Sequence, residues 1–159
     1  MSAPTVADFL RFRFRHNGPN DTIELRTFWP DDRPGPRSWH RDPAKAADAA
    51  QRLSRKLNAY YGICPRTDGG GTKGHVTAIT AAWADVDFKH YADGRDGALA
   101  ALEAFALPPT WIVDSGGGYQ AIWEFAAPSR DLALIPAFEA MQKRLYAALG
   151  GLDLSLIHI

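Results

Sequence analysis

The chain has 159 residues and a mass of 17.5 kDa, 46% hydrophobic and 23% charged, a globular composition that excludes a disordered or fibrous chain. One cysteine, Cys64, excludes an internal disulfide and a multi-cysteine zinc site and fits a reducing, cytoplasmic setting. No apolar run approaches the roughly 20 residues of a membrane helix, and the N-terminus carries no secretory h-region. The formal charge is zero, yet residues 1–75 hold 13 Lys/Arg against 8 Asp/Glu, and residues 76–159 hold 5 against 10. Such an asymmetry suits a protein that holds polyanions near a carboxylate metal site, and equally a mixed solvated surface.

In chain order, residues 1–21 read as a lead-in helix with Phe9, Leu10, Phe12 and Phe14, broken at Asn17-Gly18-Pro19-Asn20. Ile23–Trp29 has the β-branched and aromatic content of a strand. Pro30–Arg37 reads as a loop. Asp42-Pro43 predicts a helix start, Asp as N-cap and Pro in the first turn, running to about Asn58. Ala59–Cys64 predicts a second strand, and Asp68–Gly74 a flexible turn. Val76–Phe88 is the longest predicted strand. A helix from Gly94 to about Ala106 follows, stopped by Pro108-Pro109. Thr110–Asp114 and Tyr119–Phe125 predict strands around the Ser115–Gly118 turn. Residues 131–149 predict an amphipathic helix with Leu134, Phe138, Met141, Leu145 and Leu149 on its apolar side. Hairpins together with crossover helices predict an α+β fold (an α/β sandwich), a mixed sheet with helices packed on it.

Two stretches carry chemistry. Asp85 and Asp87 end an apolar strand, and side chains two apart on a strand share a face. A divalent cation is the simplest relief of their repulsion, and Mg²⁺ or Mn²⁺ takes carboxylate oxygens together with substrate phosphates. The pair alone reads equally as a strand end emerging into solvent. Ser115-Gly116-Gly117-Gly118-Tyr119-Gln120 is the second stretch. Its glycines allow positive φ and close approach of backbone N–H groups to phosphate oxygens, although in isolation it is also an ordinary hairpin turn. It lies between two strands, unlike a dinucleotide fingerprint, which opens a helix.

Taken together, AYYGICPR, GGGTKGHV, AWADVDFK and WIVDSGGGYQAIWEF, over about residues 22–151, resemble the archaeo-eukaryotic primase superfamily. Its RepB-type and bifunctional primase–polymerase domains of plasmids and phages are the nearest in pattern. The resemblance implies an RRM-like sheet, template-directed nucleotidyl transfer and a two-metal site of Mg²⁺ or Mn²⁺. It assigns Asp85 and Asp87 to the metals and to catalysis, and Ser115, Gly116, Gly117, Gly118 and Gln120 to the nucleotide. Arg66 and Lys89 are further candidate phosphate contacts, as is Lys73. The implied partners are a single-stranded DNA template, nucleoside triphosphates and a downstream helicase or DNA-binding domain, with no membrane.

The chain departs from the family's pattern at two places. Gln120 occupies the slot where a His commonly meets the triphosphate, and Gln carries no charge and shuttles no proton. This departure favours a second reading, a nucleic-acid-binding module of the same fold without catalysis. A metal-dependent nuclease is a third. The family's third carboxylate follows the last helix, where Asp153 is not assigned the role. Leu154–Ile159 (LSLIHI) resembles a translated sequencing adapter, the alternative being a natural apolar tail. The expected organisation is therefore a lead-in at 1–21, a truncated primase–polymerase-like domain at 22–153 and an adapter scar at 154–159. The expected fragment is inactive, with an open sheet edge where a further strand would lie. His40, His75 and His90 lack ligand spacing, so no zinc is expected. Trp83, Trp111 and Trp123 are expected in the core, and Cys64 as an inert buried thiol.

Overall fold

Asp8 follows Thr5 by three residues, the spacing of a capping box. The Thr5 hydroxyl accepts the Asp8 N–H at 3.2 Å, and the Asp8 carboxylate accepts the Thr5 N–H at 3.1 Å. That cap starts helix α1 (Val6–Arg13) in a computed structural model that describes residues 4–149. The order continues β1 (Ile23–Phe28), β2 (Pro34–His40), α2 (Pro43–Leu53), β3 (Asn58–Tyr61), β4 (Ile79–Asp87), α3 (Gly94–Glu103), β5 (Trp111–Asp114), β6 (Gly118–Ser129) and α4 (Ile135–Ala148). The class is α+β, and the strands form two three-stranded sheets, β2-β1-β3 and β4-β6-β5. The chain divides into two units, one running to Ile79 and including Ala127–Arg130, the other Thr80–Ala126 with the segment from Asp131. The expected scar at 154–159 lies outside the described residues.

In the first unit β1 is central and pairs antiparallel with both neighbours. One face of β1 buries Ile23, which packs with Leu10 and Phe14 of the α1 segment and Ala46 and Ala47 of α2. The helix start at Asp42 is as expected, its carboxylate accepting the Ala44 N–H at 2.8 Å. Two expectations are corrected. Residues 34–37 are not loop but part of β2. That strand lies at the sheet edge, where prolines without an N–H are tolerated, and the Thr27 hydroxyl donates to the Pro36 carbonyl at 2.7 Å. The helix ends at Leu53 rather than Asn58, because Asn58 is drawn into β3 opposite Phe28.

In the second unit α3 and α4 bury Ala98, Leu102, Tyr146 and Leu149 with Ala84 and Val86 of β4 and Tyr119 and Ala121 of β6. The longest strand is β6, with 12 residues, and not β4, with 9. The buried face of the last helix keeps the expected Phe138 and Leu149 but differs elsewhere. Met141 and Leu134 are exposed, whereas Gln142 is fully buried and Tyr146 nearly so. The reason lies on the outer edge of β4. There the Trp83 N–H donates to Gln142 Oε1 at 3.2 Å, and Gln142 Nε2 donates to the Trp83 carbonyl at 3.1 Å. One turn further, the Asp85 N–H donates to the Tyr146 hydroxyl at 2.8 Å. A side-chain amide and a phenol thus take the place of a neighbouring strand, and this edge is not left open. Trp83 and Cys64 are buried as expected, while Trp111 and Trp123 are only half-buried.

Candidate active site

Alternation along β4 places Ala84 and Val86 in the core and leaves exposed Asp85 and half-buried Asp87 on the other face. The glycine turn meets this strand end directly. The Phe88 N–H donates to the Gly117 carbonyl at 3.1 Å. A Cβ on Gly118 would stand 2.6 Å from the Val86 carbonyl oxygen and 3.1 Å from the Asp87 Cα, so only glycine lets β6 approach so closely. Gln120 Nε2 donates to Asp85 Oδ1 at 3.3 Å. Asp85, Asp87, Ser115–Gly118 and Gln120 therefore form one cluster, all within the second unit.

The turn is built from its own polar groups. The Ser115 N–H and hydroxyl both donate to the Gly118 carbonyl, at 2.9 and 2.8 Å. Gly116 has φ of 90°, a conformation that favours glycine. Its N–H donates to Asp114 Oδ1 at 2.8 Å, and Asp114 in turn pairs with Arg95. The Arg95 guanidinium lies 4.8 Å over the Phe88 ring, which meets Tyr119 edge-on with centroids 4.9 Å apart. The sequence reading passed over Arg95 and Asp114, which brace the stem of the turn. Their signal was an acidic residue two positions before the first glycine.

The two aspartates differ electrostatically. Crowding by the surrounding atoms raises the Asp85 carboxyl above its ordinary value, although its side chain reaches solvent, and hydrogen bonds from Gln120 and Tyr146 only partly offset this. The Asp87 carboxyl is lowered by hydrogen bonds from the Lys89 side chain and N–H. Lys89 Nζ stands 2.7 Å from Asp87 Oδ2, so its ammonium is directed at the carboxylate. A pair of same-face carboxylates, one destabilised when ionised, fits a hard divalent cation that completes its shell with water and phosphate oxygens. Among the described residues no three His, Cys, Asp or Glu side chains converge.

Arg66 belongs to the first unit, where its side chain is 6% exposed and its Nε lies 3.0 Å from Glu24 Oε2. Its Nη1 donates to the Thr72 carbonyl at 2.7 Å. Arg66 is thus a structural partner of Glu24. The sequence reading missed Glu24 altogether. Its fully buried carboxylate receives Arg26 at 2.7 Å, and also Arg37. The Asp68–Gly74 turn is tied down rather than free. Arg26 donates to the Gly71 carbonyl, and Trp39 Nε1 donates to the Gly70 carbonyl at 2.8 Å. The signal was the strand alternation Glu24-x-Arg26, which sets both charges on one face.

These two sheets with their helices make the fold of an archaeo-eukaryotic primase domain. The solved structure that shows this is the archaeo-eukaryotic primase domain of the primase–polymerase of cyanophage S-2L. It is matched over 90% of this chain and 71% of that one, with a TM-score of 0.59 and 22% identity. No family model matches the chain, nor does any curated protein. No helix among the described residues is long and apolar enough to cross a membrane.

Proposed function

We propose that the full-length protein performs template-directed nucleotidyl transfer, as a primase or primer-extending DNA polymerase of the RepB-type or primase–polymerase kind. It would act in the cytoplasm at replication of a plasmid or phage, on nucleoside triphosphates and a single-stranded template, with a downstream helicase or DNA-binding domain as partner. The observation that carries the reading is the meeting of Asp85 and Asp87 with the Ser115–Gly118 turn at one strand end. The shared fold is consistent with it.

In this reading a 3′-hydroxyl attacks the α-phosphate of a nucleoside triphosphate and pyrophosphate leaves. Mg²⁺ or Mn²⁺ held by Asp85 and Asp87 would supply charge neutralisation and activate the attacking oxygen. The chain's own groups do the positioning. Gln120 and Tyr146 hold the side chain and backbone of Asp85. Lys89 holds Asp87 and places a cation beside it. The Ser115 and Gly116 N–H groups are taken within the turn, so exposed Gly117 is the glycine whose N–H would meet a phosphate oxygen.

Gln120 in the usual His slot favours a second reading, a nucleic-acid-binding module without catalysis. Incorporation of labelled nucleotide on a primed template with Mn²⁺ by the full-length protein separates the two. Asp85→Asn and Asp87→Asn are each expected to lower incorporation by about 10²-fold or more, the scale of groups that stabilise a transferring phosphoryl. Incorporation unchanged in either variant refutes the site. Shortening of the labelled strand in place of extension identifies a nuclease.

A further inference from the structure

The face of the first sheet opposite its helices carries a row of side chains with a different chemistry from the aspartate cluster. Arg26 of β1 is directly opposite Arg37 of β2 and directly opposite Tyr60 of β3. Residues opposite one another across antiparallel strands share a face, so Arg37, Arg26 and Tyr60 form one line across all three strands. Glu24 and Trp39 form the neighbouring line. Glu24 is fully buried, and three guanidiniums surround its single carboxylate. The face therefore carries excess positive charge. Arg26 and Arg37 keep 38% and 42% of their side-chain surface exposed while paired. Tyr60 is 56% exposed, its ring held edge-on to Phe28 with centroids 5.8 Å apart. Beyond the row, Trp39 lines a cleft in which Arg41 and Lys45 are balanced by Asp42 and Asp68, so the excess positive charge is confined to the row itself.

We propose that this face binds a single-stranded polynucleotide, its phosphates on Arg26 and Arg37 and one base stacked on Tyr60. Exposed guanidiniums beside a pre-positioned aromatic ring are what a strand of unpaired bases needs, phosphate charge on one side and a π-surface on the other. A duplex hides its base faces and would use only the cations. The identification of the strand as a template rests on the nucleotidyl-transfer reading, whereas the binding itself does not.

The test is fluorescence anisotropy of a labelled oligodeoxythymidine over a salt series, with the chain, Tyr60→Ala, Tyr60→Phe and Arg37→Gln, each checked for folding by circular dichroism. Tyr60→Ala is expected to weaken binding about tenfold, equivalent to about 1.4 kcal/mol, while Tyr60→Phe keeps the parent affinity. Arg37→Gln is expected to flatten the plot of log affinity against log salt by about 0.7, the loss of one phosphate contact to a single strand. A duplex probe should be insensitive to Tyr60→Ala. If Arg37→Gln does not fold, Tyr60→Ala decides, since that side chain is exposed on an edge strand. Absence of oligodeoxythymidine binding by the parent overturns the proposal. So does parent-like binding by folded Tyr60→Ala. Binding through Tyr60 with no nucleotide incorporation by the full-length protein refutes the catalytic reading and leaves this one standing. Incorporation together with binding that ignores Tyr60→Ala does the reverse.

Discussion

Asp85 and Asp87 lie two residues apart, and their surroundings move their carboxyls in opposite directions. Crowding raises Asp85, and Lys89 lowers Asp87. A raised carboxyl binds its proton more tightly in the folded chain than in the unfolded one. Its favourable contribution is complete in acid, below the ordinary aspartate value of 3.8, and is lost as pH rises through the higher folded value. Asp85→Asn removes that loss. Denaturant unfolding should therefore show Asp85→Asn more stable than the parent near neutral pH, with the difference closing in acid. Equal midpoints at neutral pH would mean that solvent screens the group fully. Mn²⁺ acts on the same residue, and it should raise the parent's midpoint but not that of Asp85→Asn.

At the scale of elements, the two strands of the site are held in contact by a missing side chain and by one helix. Gly118 lies against the backbone of Val86 and Asp87, whereas a Cβ on Gly117 would meet nothing within 4 Å. Gly118→Ala must push β6 off the end of β4, at a cost of about 1–3 kcal/mol as for other overpacked sites. Gly117→Ala should change stability by no more than about 0.5 kcal/mol. Thermal unfolding of the two variants checks this. On the other side of β4, Gln142 and Tyr146, one helical turn apart, satisfy the backbone of Trp83 and Asp85. The helix therefore sets the position of the strand that bears both aspartates.

At the scale of the whole molecule, a neutral total hides where the charges lie. Two buried carboxylates of the first unit dominate its acid behaviour. Burial works against the charged form of Glu24, but hydrogen bonds from Arg26 and Arg37 and the charges of Arg26 and Arg66 outweigh it. Asp21 is likewise lowered, burial being outweighed by hydrogen bonds from Arg130, Thr77 and Gly18 and by the Arg130 charge. Lowered carboxyls stabilise the fold above their ordinary values, 4.5 for Glu24 and 3.8 for Asp21, and that stabilisation is lost as pH falls through the folded values. Unfolding followed from pH 7 into this acid window should show falling stability. Glu24→Gln should cost about 3–5 kcal/mol at pH 7, because it leaves the nearly buried Arg66 guanidinium without its counter-charge, and it should flatten the acid dependence.

Elements specified by local pattern were readable from the sequence alone. The β-branched run of β1, the Asp42 cap of α2, the paired aspartates at a strand end and the glycines between two strands each carry their signal within a few neighbouring residues. That short-range information sufficed for the α+β class and for the residues of the candidate site. The tertiary structure alone decided what depends on partners far along the chain. Pro34 and Pro36 enter a strand because β1 offers them an edge. Asn58 leaves its helix because Phe28 pairs with it. Gln142 is buried because a strand 59 residues away presents an unpaired N–H and carbonyl. Arg66 turns inward because Glu24, far back along the chain on β1, presents a buried carboxylate there. A buried charge or amide is stable only beside its partner, and no local pattern states where that partner will be.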